Sequence, residues 1–134
     1  MEIPPEFEPL AASPFSERVG PLYLSDRDPL PIVGARVEPH HANRAGRAHG
    51  GLLMTIADIA LIRAAREHVP AGTTLSTADL HIAFLDALSP GDWVEAIPSV
   101  DRIGRSLIHA SCLVRSGGRD VARAMGTVAV RLGQ

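Results

Sequence analysis

The stretch HGGLLMTIADIALIRAAREHVPAG, His49 to Gly72, decides the fold. Its apolar and small residues run too continuously for a surface helix, which would alternate an apolar stripe with a polar face. The segment therefore predicts a mostly buried helix from about Gly50 to His68, about 28 Å long at 1.5 Å per residue. Arg63, Arg66 and His68 crowd its last turns, where cations complement the helix dipole, and Pro70 with Gly72 stops it.

Everything after this helix alternates. Ala78, Leu80, Ile82 and Phe84 share one parity while Thr77, Asp79 and His81 share the other, which predicts a strand with one buried face. The turn from Ser89 to Asp92 ends it. Further strands follow over about Trp93 to Asp101, Ser106 to Arg115 and Asp120 to Leu132, separated by turns at Gly104 and at Ser116 to Gly118. Before the helix, Arg18 to Ser25 and Pro31 to Glu38 read as shorter strands. These elements predict an α+β fold in which an antiparallel sheet of five or six strands wraps one central helix.

With 134 residues the chain suits one domain, expected over residues 18–134. Residues 1–17 hold Pro4, Pro5, Pro9 and Pro14 among four glutamates and are expected to form an extended arm. A formal net charge of -2 offers no general attraction to nucleic acid or to an anionic membrane. The apolar run from Gly51 to Ile62 falls short of the roughly 20 residues that span a bilayer. The acidic, proline-rich start differs from a signal peptide, so a cytoplasmic location is expected. The one cysteine, Cys112, lies on the parity of Ile108, Ala110 and Val114 and is expected to be a buried structural thiol.

One carboxylate interrupts the apolar helix. Asp58 lies among Leu53, Met54, Ile56, Ile59, Leu61 and Ile62, and an ionised acid placed there needs a partner or a task. A bond to Thr55, one turn earlier, is one way to satisfy it. Just ahead of the helix, the chain's one asparagine, Asn43, opens NRAGRAHGG. Paired glycines at a helix start let a ligand approach unpaired amides at the positive end of the dipole, and such amides can hold an oxyanion. Gly50 is the first candidate and Gly51 the second. The two ends of this segment are eight residues apart, Gly50 to Asp58, roughly 12 Å on a helix. One chain cannot bring both to one carbonyl, so joint action requires a site shared across a twofold axis.

His40, His41, His81 and His109 raise a metal reading. In an extended segment adjacent histidines point apart, and neither C-x-x-C nor H-E-x-x-H is present, so no metal is expected. A G-x-S-x-G elbow is also absent, which removes the serine hydrolases of α/β type.

The pattern N-x-x-G-x-x-H-G-G, followed by an acid eight residues after the first paired glycine, resembles the hotdog-fold acyl-CoA thioesterases of the phenylacetate-pathway, or PaaI-like, type. The similarity runs over about residues 30 to 132, through TADLHIAFL, the turn with Gly91 and Asp92, and the GRS turn from Gly104 to Ser106. The resemblance implies hydrolysis of an acyl-CoA to a carboxylic acid and free coenzyme A, without a metal or redox cofactor. It implies Asp58 as catalytic carboxylate, acting as base or nucleophile, and Gly50 as oxyanion amide. His49 and Asn43 would line the site, and Thr77 would hold the attacking water. Gly51 and Met54 are expected to contact substrate, and Arg105, Ser106 and Arg102 to meet the coenzyme phosphates. Dimers with shared sites, paired again into homotetramers, are the assembly it implies. Two positions depart from the pattern: Ala48 is small, and Asp86 puts an acid near the expected nucleotide groove. A hotdog hydratase or dehydratase and a non-catalytic acyl-CoA sensor are the alternative readings.

Overall fold

The computed structural model describes residues 2–11, 13–27 and 29–131. Its elements in chain order are β1 (Glu8–Pro9), α1 (Pro14–Val19), β2 (Tyr23–Ser25), β3 (Ile32–Arg36), a 3-10 turn (Pro39–His41), α2 (Gly50–Arg66), β4 (Thr74–Phe84), β5 (Trp93–Ile103), β6 (Leu107–Ser116) and β7 (Arg119–Arg131). The strands form one seven-stranded sheet in the order β1-β2-β3-β5-β6-β7-β4, with every neighbouring pair antiparallel. The sheet curls around α2, as expected of a hotdog fold. The predicted end of the last strand, Leu132, lies outside the described residues.

Close packing of helix on sheet follows from small residues on both. Ala57, Ala60 and Ala64 are fully buried along α2, together with the larger Ile56 and Leu61. Opposite them lie Val33, Val94, Ala96, Ile108, Ala110 and Val128, all at or near zero exposure. On β7, a Cβ at Gly126 would stand 2.9 Å from Leu61 Cδ1 and 2.7 Å from the Asp79 carbonyl, so this position admits no side chain. Each large aliphatic buried here stabilises the fold by about 1.5–3 kcal/mol relative to exposure. Cys112 is buried in the same layer, and desolvation pushes its thiol up to about 12.

The arm departs from the expected extended form. Its two-residue β1 pairs with β2, and Phe7 packs edge-on against Trp93 at 5.0 Å. Ser13 and Ser16 cap each other reciprocally at the start of α1, with Pro14 in the first turn. That cap draws Arg18 and Val19, expected in a strand, into a helix, and the strand begins at Tyr23. The helix α2 ends at Arg66 rather than His68, where the Glu67 amide turns back to the carbonyls of Ala64 and Ala65.

β4 reaches the far edge of the sheet, and among the described residues its outer side pairs with nothing. A bulge interrupts its ladder with β7 between Thr77 and Asp79, leaving Ala78 as the extra residue. The bulge resets the alternation. Leu80 pairs with Gly126, Ile82 with Ala124 and Phe84 with Ala122, all on the helix side; below the bulge Thr77 pairs with buried Val128 on that same side.

Candidate active site

The extra residue at Ala78 places Thr77 against α2, not on the outer face where simple parity with Asp79 and His81 put it. Its hydroxyl donates to Asp58 Oδ1 at 2.5 Å. Asp58 is half-buried rather than enclosed, because its side of α2 opens onto a shallow cleft. Thr55 is not its partner: the Thr55 hydroxyl donates back to the Gly51 carbonyl at 2.7 Å. The cleft measures about 360 Å³ and is walled by Phe15, Met54, Ile59 and Leu80 around Asp58.

At the start of α2 the two glycines differ. The Gly51 amide donates to His49 Nδ1 at 2.8 Å, which makes His49 the helix cap and leaves Nε2 to carry the proton of the neutral ring. Among the described residues the Gly50 amide has no acceptor. It is the donor free for a ligand. The Phe84 ring lies against Gly50, so a Cβ there would come within 2.8 Å of it.

Asn43 organises its own loop. Its Oδ1 accepts from the amides of Ala45 and Arg47, and its amide donates to the Arg47 carbonyl at 2.7 Å. Arg102 near the end of β5 and Arg105 and Ser106 in the turn that follows are exposed, and none of them lines the cleft with Asp58. Asp86 is exposed and held below the ordinary carboxylate range by the Ala87 amide and by Arg119, which lies 2.6 Å away. That pairing offsets the acid's charge near the glycine loop.

His40 and His41 do not point apart, because the segment forms a 3-10 turn and sets their rings 4.0 Å apart. His41 accepts the Glu38 amide on Nδ1, so its Nε2–H donates to the Val19 carbonyl, while His40 Nε2 meets the Gly20 carbonyl at 2.7 Å. Both therefore hold the end of α1. The His41 carbonyl in turn accepts the His49 amide at 2.7 Å, tying this turn to the glycine loop. Nothing in residue type alone separates these histidines from metal ligands; the helical turn after Pro39 was the signal available.

The model of the thioesterase superfamily matches residues 45–123, from the glycine loop through most of the meander. A Pseudomonas aeruginosa protein named as an esterase is 35% identical over 128 residues, covering 94% of this chain and 96% of the relative. The chain belongs to the thioesterase superfamily. Among solved structures, a mutant of the phenylacetic acid degradation protein PaaI from Thermus thermophilus is 30% identical, with a TM-score of 0.79 over 90% of this thioesterase and 100% of that chain. A Streptococcus mutans protein bound to acetyl-CoA is 25% identical, with a TM-score of 0.68 over 74% of this chain and 78% of that one. The thioesterase is thus a PaaI-like hotdog protein and a thioester hydrolase. No helix among its described residues is long and apolar enough to cross a membrane.

Proposed function

We propose that this protein hydrolyses acyl-CoA thioesters to a carboxylic acid and free coenzyme A, with Asp58 as general base and the Gly50 amide of a second copy as oxyanion donor. The observation that carries this reading is the pairing of Thr77 with Asp58. One carboxylate oxygen is held by the threonine, and the other is left to take a proton from water as that water attacks the thioester carbonyl. The negative charge that develops on the carbonyl oxygen is met by an amide at a helix start, worth a few kcal/mol per donor. Collapse of the adduct expels the thiolate, which takes up the proton held by Asp58.

The free edge of β4 supports the shared site. Counted through the bulge, Thr77 and Phe84 are equally far from His81 and face the same side. A twofold axis at His81 sets Thr77 opposite Phe84 of the second copy, Asp79 opposite Ala83 and Leu80 opposite Ile82, so each opposed pair shares a face. Because Thr77 holds Asp58 and Phe84 lies on Gly50, this register carries the acid of one copy to the free amide of the other. The outer face of the sheet, with Met125 and Leu107 exposed, is the surface through which two such dimers would pair into a homotetramer. Arg105, Ser106 and Arg102 are the proposed phosphate contacts, Met54 an acyl contact and His49 the support of the glycine loop. No metal or redox cofactor takes part, and the expected location is cytoplasmic.

Thiol release from an acyl-CoA panel by wild type and Asp58→Asn tests the reading. The variant should lose at least about 100-fold in turnover while folding and assembly persist. Unchanged hydrolysis would remove Asp58 from the chemistry, and a wild type that releases no thiol would end the hydrolase assignment for these substrates.

A further inference from the structure

Ser13, Phe15 and Ser16 lie outside the segment matched to the superfamily, yet they line the cleft that holds Asp58. Phe15 stands 65% exposed on α1 and is shared between that cleft and a second one, about 300 Å³, lined by His49, Gly51 and Thr55. An exposed phenylalanine on a loose arm would mean little. Here the helix is fixed at both ends, by the reciprocal Ser13 and Ser16 cap and by His40 and His41 on the carbonyls of Gly20 and Val19.

The polar groups around the Asp58 cleft are already spent. Ser13 and Ser16 bond each other, and Thr55 bonds the Gly51 carbonyl. What faces the space beside the acid is Phe15, Met54, Ile59 and Leu80. A dry apolar cavity of about 150 Å³ already accepts benzene, so the volume suffices for a sizeable acyl group.

We infer that Phe15 is the amino-terminal wall of the acyl pocket and makes this enzyme select apolar acyl groups over short or polar ones. The inference rests on the proposed active site, since it takes the cleft beside Asp58 as the acyl site. A polar substituent entering it would lose its water without gaining a partner. Acetyl, with a single methyl group, offers the ring little apolar surface to bury.

Phe15→Ala and Phe15→Leu should be assayed with acetyl-, hexanoyl-, octanoyl-, phenylacetyl- and hydroxyphenylacetyl-CoA. Binding of a non-hydrolysable octyl-CoA thioether should be measured by calorimetry in parallel. Phe15→Ala is expected to lower kcat/KM for octanoyl- and phenylacetyl-CoA about tenfold or more, to leave acetyl-CoA within about twofold, and to weaken the thioether by a similar factor. Phe15→Leu should restore most of the octanoyl activity. An equal change across the panel, or none, overturns the inference. Wild type that binds the thioether through Phe15 but releases no thiol would overturn the hydrolase reading and leave the wall standing.

Discussion

The Thr77 hydroxyl donates to Asp58 Oδ1 across the gap between the sheet edge and the central helix, at 2.5 Å. It engages one carboxylate oxygen and leaves Oδ2 without a hydrogen-bond partner among the described residues. Thr77→Ala should lower kcat about tenfold with little change in KM, and Thr77→Ser should retain most of the rate. Since Thr77 is exposed and Asp58 only half-buried, stability measured by thermal unfolding should fall by no more than about 1 kcal/mol. Equal losses in both variants would mean that the methyl group, not the hydroxyl, matters there.

The paired glycines should fail in different ways. A Cβ at Gly51 would lie 2.9 Å from His49 Nδ1, so Gly51→Ala displaces the helix cap and should cost about 0.5–2 kcal/mol of stability in thermal unfolding. At Gly50 the obstacle is the exposed ring of Phe84, which can swing aside. Gly50→Ala should therefore melt close to wild type but lose turnover, because the moved ring and added methyl crowd the free amide. The reverse ranking would count against Gly50 as the oxyanion donor.

A twofold axis at His81 makes a sharp cross-linking prediction. Directly opposed residues in antiparallel strands have Cα atoms about 4.5–5.5 Å apart, inside the range that a disulfide spans. His81→Cys should give an oxidised dimer on a non-reducing gel, and Asp79→Cys should not. Efficient cross-linking of the second variant would shift the register and separate the acid from the amide.

Native Cys112 should not interfere with that experiment. Its thiol, pushed up to about 12 by desolvation, stays protonated at neutral pH, and the side chain is 2% exposed. Ellman's reagent should label it only after denaturation. Rapid labelling of the native protein would contradict its placement between sheet and helix.

Asp86 predicts an acid-side effect. The Ala87 amide and Arg119 hold its carboxyl below the unfolded value of 3.8, so the folded protein binds this proton less readily. The stabilisation is present above that value and is lost as the pH falls through the lower folded one. The difference in melting point between wild type and Asp86→Asn should shrink from neutral pH toward pH 2.5. A difference that widens in acid would refute the pairing with Arg119.

The central helix, the meander and the glycine entrance were legible because each leaves a periodic or compositional mark. Asp58 stood out for the same reason, as a charge in an apolar run. The helix α1 was hidden by prolines that read as breakers, although Ser13, Pro14 and Ser16 form a start signal. The side of the sheet occupied by Thr77 was hidden by the bulge, which leaves no mark in the alternation of Ala78, Leu80 and Ile82. Asn43 carried a double meaning, since a turn former and a site residue look alike until its carbonyl is seen serving Ala45 and Arg47.

A single inserted residue acts on β4 as a change of step. Drawing Ala78 into the ladder opposite Val128 would keep every side chain from Asp79 onward where it is, yet turn Thr77 outward opposite Ala129 and Ser76 inward opposite Val130, so the acid would face a methyl group and a more distant hydroxyl. Reactivity here thus hangs on which residue the ladder steps over.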